Sequence, residues 1–269
     1  MVQLDMHTFL PRFHLFEWED QTFFPVTIRN ALTQYLYMVW TVGQFYRGTL
    51  PVLSDLIQKT GRKNIYDMCS GGGGAWSHIW LALSKNVPDL SIRLTDYYPN
   101  IPAFEALNTY SNGAITFDNE SVDARSAHIP QDSIVTMLLA FHHFTPEDAR
   151  QILHNTIRQD APIVIFEIQQ RSLFDVLLML VHFPICWFIT PFMKPSLTQL
   201  VFTYLIPIIP FCIVWDGMVS SLRTYTQHEL HELMSNAPQS YTWETGTAHH
   251  PLHNISYCVG FPTQPKTVS

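Results

Sequence analysis

Two adjacent histidines, His142 and His143, follow the apolar run "DSIVTMLLAF" (Asp132–Phe141). Imidazole exchanges a proton near neutral pH, so a histidine at a strand end is a candidate general base. One of the pair could equally serve packing or a local hydrogen bond. Glu167 and Arg171 close the next buried run, "APIVIFEI" (Ala161–Ile168). They could orient a polar group on a substrate, or pair with each other. Three carboxylates, Asp67, Asp96 and Asp123, stand at the ends of three successive expected strands. At a strand end a carboxylate can accept hydrogen bonds from a ligand, although Asp is also common in turns for local reasons. After the first carboxylate come four glycines, Gly71 to Gly74, inside "NIYDMCSGGGGAWSHIWLAL" (Asn64–Leu83). Glycine is costly within regular structure, so the block needs a reason.

A flexible linker would join polar segments, whereas this block lies between a buried strand and an amphipathic helix. That is where an open α/β sheet binds nucleotide-like ligands, at the carboxyl end of its first strand. A dinucleotide turn needs G-x-G-x-x-G. Counting from Gly71 and Gly73 puts Trp76 at the third position, and counting from Gly72 and Gly74 puts Ser77 there. Neither is glycine, and Trp is a poor fit where helix and strand must touch. No Gly-Lys-Ser/Thr follows, so the phosphate-cradling P-loop is excluded. A nicotinamide oxidoreductase is thus the weaker reading.

The elements that would position these residues alternate. Strands are expected at "NIYDMC", "LSIRLTDYY", "AITFDNESVDA" (to Asp123), "DSIVTMLLAFHHF" and "APIVIFEI". Between them lie helical patterns at "WSHIWLALSKN", at "IPAFEALNTYSNG" with its Gly113 stop, and at "TPEDARQILHNTIRQ" with Thr145 as cap and Pro146 at the first position. Such alternation argues for a mostly parallel sheet with helices on both faces. Earlier in the chain, helices are expected over Thr27–Tyr46 and Thr49–Gly61. Later, "TYTQHELHELMSNA" (Thr224–Ala237) reads as a helix with a Thr226–Glu229 capping box. Tyr241–Pro262 reads as an antiparallel hairpin joined by the His249–Asn254 loop.

Composition bounds the rest. The 269 residues are 47% hydrophobic and 14% charged, with net charge −7. Soluble domains average about 25% charged residues. A surface this poor in charge suggests burial against something, and no basic run suits nucleic acid. The four cysteines are scattered, without metal-ligand spacing, and read as reduced thiols of a cytosol-facing protein. No metal site is expected. Asp5 and Arg12 interrupt the N-terminus, so no signal peptide is expected there.

"DMCSGGG" (Asp67–Gly73) resembles the first motif of class I S-adenosylmethionine-dependent methyltransferases, an acidic residue followed by a turn of small residues. Cys69 stands where that family usually has its first glycine, while Gly71 and Gly73 match the second and third. A positive φ at Cys69 would be strained. The resemblance implies a Rossmann-like seven-stranded, mostly parallel sheet with helices on both faces. It also implies S-adenosyl-L-methionine as cofactor, held by Asp67, Cys69, Ser70, Gly71, Gly72 and Gly73. By the same resemblance, Asp96 with Tyr97 would serve the ribose, and Asp123 with Ala124 the adenine. "LLAFHHF" (Leu138–Phe144), with Ala140, matches the fourth motif beside the reactive methyl. The resemblance covers Asn64–Ile168 and, less fully, Leu222–Phe261. Four parts follow: an N-terminal helical cap (1–62), a cofactor-binding core (63–172), a hydrophobic helical insertion after strand 5 (173–216) and the end of the core (217–269).

In such an enzyme a base, His142 or His143, is needed only if the acceptor must lose a proton early. Substrate-side candidates are Glu17, Trp18 and Phe24 in the aromatic, acidic "FEWEDQTFF", with Glu167, Arg171, Arg223 and Tyr225. The aromatics could enclose a small apolar or lipid-like acceptor, or simply pack. From Val176 to Trp215 the only charged side chain is Lys194. Val176–Met193 and Leu197–Trp215 each approach the roughly 20 apolar residues that span a bilayer. Residues 176–215 could span, dip into or lie on a membrane, or form a soluble lid or dimer surface. A membrane-associated enzyme facing the cytoplasm is expected, with a cytoplasmic location as the alternative. The competing function is a non-catalytic, membrane-anchored cofactor-binding scaffold. Oligomeric state and the atom methylated stay open.

Overall fold

The computed structural model describes residues 10–235, 238 and 240–263. The N-terminal stretch through Phe9 and the expected helix end at Asn236–Ala237 lie outside the described residues.

The apolar runs form the middle of one sheet. Its strands are β1 (Asn64–Met68), β2 (Ser91–Thr95), β3 (Ile115–Phe117), β4 (Ser133–Leu138), β5 (Ile163–Glu167), β6 (Tyr241–Ala248) and β7 (Ile255–Pro262). The seven strands lie in the order β3-β2-β1-β4-β5-β7-β6. Pairings from β3 through β5 are parallel, and β7 runs antiparallel to both β5 and β6. β5 is buried along its whole length, as is β1 after Asn64, which suits strands covered on both faces. β3 stops at Phe117, well short of the expected Asp123. Asp118, Asn119 and Glu120 turn the chain there, and Asp118 bonds back to the Arg93 guanidinium (Nε–Oδ1 2.8 Å).

The helices are α1 (Val26–Gly43), α2 (Tyr46–Thr60), α3 (Trp76–Leu83), α4 (Ile101–Tyr110), α5 (Pro146–Arg158), α6 (Leu173–Leu178), α7 (His182–Ile189), α8 (Leu197–Leu200), α9 (Ile208–Arg223) and α10 (Gln227–Leu233). Their ends follow the local chemistry expected of them. Gly61 closes α2 at φ 68°, donating its N–H to Ile57 O at 2.8 Å. Thr145 Oγ accepts from Asp148 N at 3.2 Å to start α5. The β6–β7 hairpin closes at Ala248–Ile255, around the expected loop.

The chain divides into two compact units. One comprises the described part of Met1–Val39 with Gln169–Thr226, and the other Trp40–Ile168 with the described part of Gln227–Ser269. The second unit contains the sheet. Its core packs Ile65, Ile92, Ile134 and Phe166 of the strands against Trp76 and Ile79 of α3. The first unit is helical, with Ile28, Leu32 and Tyr35 of α1 packed on Cys186, Ile209 and Ile213. The hydrophobic insertion after strand 5 is present: helical turns join α6 and α7 into one stretch, Leu173–Met193, of 21 residues. Its second limb, Leu197–Leu205 with Ile208–Arg223, is bent by 74° at the intervening Ile206 and Pro207. Proline there removes a helical N–H, which accounts for the break. All four cysteines are free thiols.

Candidate active site

The glycine block forms a tight turn between β1 and α3. Cys69, Gly71, Gly73 and Gly74 all take positive φ, at 60°, 55°, 82° and 44°. Cys69 is therefore in the left-handed region that an L side chain adopts at a cost. The position where a first glycine was expected thus does need glycine-like backbone, and the chain meets the need with a small residue. At Gly73 the conformation is not the only constraint, because a Cβ there would overlap the Leu107 side chain of α4. Trp76 is fully buried at the start of α3, so the turn is closed by an indole rather than by close helix–strand contact.

Beneath the turn lies a buried polar cluster. Ser70 Oγ and Thr136 Oγ1 each donate to the Asp67 carboxylate, both at 2.6 Å. Thr95 Oγ1 donates to Asp67 O at 2.8 Å, and Ser70 N donates to Thr95 O at 2.9 Å. The cluster stitches β1, β2 and β4 together where the strand order reverses, at the crevice such sheets use for ligands. Asp67 is 1% exposed, so it fixes the floor of the turn rather than facing outward. Burial pushes its carboxyl up to about 7, against the pull of the Ser70 and Thr136 hydrogen bonds and with a small push from the Asp96 charge. The unfolded chain releases this proton near pH 4 and the folded chain near 7. Hence the folded state holds the extra proton between those values, and stability falls as pH rises through them. Asp67→Asn lacks this loss. The excess of its melting temperature over wild type is expected to grow from pH 4 to 7 and then hold. A gain of about 3 °C corresponds to roughly 1 kcal/mol in a chain of this size. Scanning calorimetry across that range checks it, and a pH-independent gap would refute the assignment.

Asp96 follows β2 and is half-buried. Its Oδ2 accepts from Gly71 N and its Oδ1 from Tyr98 N, both at 2.7 Å. It therefore anchors the turn. Tyr97, beside it, is exposed. Asp123 is gripped by Arg125 (Nη2–Oδ2 2.6 Å), whose Nη1 also reaches Asp148 at 3.1 Å. That hydrogen bonding holds the Asp123 carboxyl below the usual range. Ala124 and Ala140 are buried.

His142 and His143 lie in a short turn of 3-10 helix, Phe141–His143, just past β4. His142 Nδ1 meets Glu167 Oε2 at 2.9 Å, and the His142 backbone N–H donates to Glu167 Oε1 at 3.0 Å. One carboxylate thus holds both the ring and the peptide of His142. Because a carboxylate can only accept, the ring's proton is placed on Nδ1, which leaves the lone pair on Nε2. His142 is 2% exposed, and the His143 ring lies against it, centroids 4.3 Å apart.

The remaining substrate-side candidates belong to the helical unit, where they join one another. Glu17 accepts from Ser220 Oγ at 3.2 Å and pairs with Arg223 at 3.1 Å. Arg223 also meets Asp20 at 2.7 Å, and Arg12 sits over the Tyr225 ring at 4.0 Å. Trp18 N donates to Asp216 at 2.8 Å, while the Trp18 ring stacks on Phe24. Arg171 Nη1 donates to Thr224 O at 3.3 Å. The Glu17, Asp20 and Trp18 contacts tie the segment before α1 to α9 through Asp216, Ser220 and Arg223. Thr136 and Arg125 escaped sequence reasoning. The signal for Thr136 was a hydroxyl in the middle of the apolar run of β4.

No protein-family model matches the chain, and no curated protein matches it. Solved structures do. Human N-acetylserotonin methyltransferase in complex with S-adenosylmethionine is 12% identical over 87% of this chain and 56% of its own, with a TM-score of 0.50. The pyocyanin biosynthetic protein PhzM is 13% identical over 80% of this chain and 53% of its own, at 0.48. NcsB1, an O-methyltransferase from neocarzinostatin biosynthesis in complex with S-adenosylmethionine and 2-hydroxy-5-methyl naphthoic acid, is 13% identical over 76% and 50%, at 0.46. The chain spans about half the length of these structures. At such identities the similarity establishes the α/β fold alone.

Proposed function

We propose that this chain is an S-adenosylmethionine-dependent methyltransferase. In this reading His142 is the general base, and the acceptor is small and apolar or lipid-like, met at a membrane. The observation that carries the reading is the His142–Glu167 pair, set at the carboxyl ends of β4 and β5 in the sheet that bears the glycine turn at the end of β1. The turn fits the cofactor on three counts. Its backbone is opened by positive φ, and a side chain at Gly73 would have to displace Leu107. Ser77 Oγ, buried in the first turn of α3, finds no hydrogen-bond partner among the described residues. Asp96, whose carboxylate accepts from Gly71 N, stands beside the turn.

Bound S-adenosylmethionine supplies a methyl carbon activated by a sulfonium. The chain supplies the rest. Glu167 keeps the His142 lone pair on Nε2, which takes the proton from an acceptor hydroxyl or amine as its heteroatom becomes nucleophilic. Glu167 then stabilises the resulting imidazolium at Nδ1. An apolar acceptor is favoured by the low overall charge and the aromatic Phe16–Phe24 segment, and a membrane setting by the apolar helix Leu173–Met193.

Incubation of the purified chain with methyl-labelled S-adenosylmethionine and fractionated cell extract tests this. Label is expected in an apolar, organic-soluble fraction. Cofactor binding with no label transferred to any fraction would favour the non-catalytic scaffold instead.

A further inference from the structure

We infer that the exposed side of the helix Leu173–Met193, with the bent limb that follows it, is a lipid-facing surface seated among the acyl chains of one bilayer leaflet. This rests on the membrane setting proposed above and is independent of the base assignment.

This helix turns a continuous row of apolar residues outward. A surface helix in water turns apolar residues inward and polar ones outward. Here Leu173, Leu177, Leu180, Pro184, Phe188 and Phe192 recur at steps of three and four along the outer side, all of them exposed. Phe188 is 76% exposed and Phe192 79%. The polar side chains of the same helix bond within the unit. Asp175 Oδ2 accepts from Ser172 Oγ at 3.0 Å, and His182 Nδ1 meets Tyr35 Oη at 2.7 Å. Thr190 Oγ1 donates to Cys186 O at 2.7 Å. Even the exposed Trp187 places its indole N–H on Thr203 O at 3.0 Å. Hydrocarbon imposes this arrangement, because polar groups there must be satisfied internally.

A buried core helix is excluded as the explanation, since only 22% of the apolar stretch is buried. Charge decides among the remaining occupants. Protein interfaces carry a polar, charged rim. From Val176 to Trp215 the only charged side chain is Lys194, exposed in the turn between the limbs. An uncharged face matches hydrocarbon, and a single lysine on a flexible stem can reach the phosphate layer. The second limb continues the surface through Leu197 and Leu205, 78% and 76% exposed, and ends it at Phe211. Helix Leu173–Met193 is long enough to cross a bilayer, about 30 Å. However, it is exposed on one side only, the other packing within the unit through Cys186 and Met193, and its companion limb is bent by 74°. A one-sided surface on a bent pair suits a helix lying in the plane of one leaflet.

Flotation of the full chain on neutral phosphatidylcholine vesicles tests the inference, since no headgroup charge can then account for binding. The wild type is expected to float. A variant carrying Leu177→Glu, Phe188→Glu and Leu205→Glu is expected to lose at least tenfold of the bound fraction, while keeping its thermal transition and its binding of S-adenosylmethionine. A wild type that stays below the vesicles overturns the proposal, as does a variant that floats equally well. So does a vesicle-free dimer that the variant converts to monomer, because the occupant is then a second copy. Should the triple variant not fold, the wild type decides alone. Its tryptophan fluorescence is expected to be quenched by bromines on lipid acyl chains, and unquenched fluorescence overturns the proposal. No methyl transfer is read in these measurements, so their failure leaves the catalytic reading standing, and its failure leaves theirs.

Discussion

His142→Gln is expected to lower kcat for methyl transfer by about 10²- to 10⁴-fold, the usual contribution of a positioned general base. Binding of S-adenosylmethionine should change little, because His142 contacts β5 through Glu167 and takes no part in the glycine turn. Glutamine keeps the volume and a hydrogen-bonding group but cannot take up a proton. Glu167→Gln should fall between wild type and His142→Gln. An amide oxygen can still accept from Nδ1–H, yet it brings no negative charge to balance an imidazolium. His143→Gln serves as the contrast, since its ring lies against that of His142 (centroids 4.3 Å). Initial rates alongside calorimetric cofactor titration separate these outcomes. An unchanged rate in His142→Gln would remove the base from the mechanism.

Asp96→Ala is expected to weaken S-adenosylmethionine binding at least about 100-fold. The carboxylate accepts two backbone N–H groups, from Gly71 and Tyr98, each at 2.7 Å. Hydrogen bonds to a charged group contribute about 1.5–3 kcal/mol apiece. Losing both loosens the turn at Gly71, although Ser70 still holds it to Thr95 of β2, and a loss of about 3 kcal/mol corresponds to roughly a hundredfold in affinity. Any direct contact with the ligand adds to this. Asp96→Asn keeps one acceptor oxygen and should bind with intermediate affinity. Isothermal titration gives the answer, and wild-type affinity in Asp96→Ala would sink the assignment.

The strands and the turn were legible because their causes are local. Buried runs such as "IVIFE" announce central parallel strands, and the glycines between a strand and a helix announce a turn that needs unusual backbone. Even the strain at Cys69 follows from motif position alone. What could not be read depends on residues that meet through the sheet. Glu167 and His142 are 25 positions apart and become neighbours only because β4 and β5 pair in parallel. Thr136 reaches Asp67 across 69 positions for the same reason. The early end of β3 was missed because "FDNESVD" keeps enough alternation to pass for a strand, while its polar residues turn the chain. The two limbs of the insertion were visible in composition. The outward direction of their apolar side was not, since a run of mixed apolar residues hides which side a helix turns toward its neighbours.

The antiparallel strand β7, inserted between β5 and β6, has a consequence for how the protein is made. Glu167 pairs with Ser256, so β5 waits 89 positions for the strand that covers its second edge. At ordinary synthesis rates that interval is on the order of 10 s. Throughout it a fully buried five-residue strand presents an open edge, and the apolar stretch from Val176 to Trp215 emerges from the ribosome. Open apolar edges recruit other chains. Early handling of the nascent chain therefore matters more here than in a sheet assembled in sequence order. The final strand, once made, seals the edge that carries Glu167 and with it the orientation of His142.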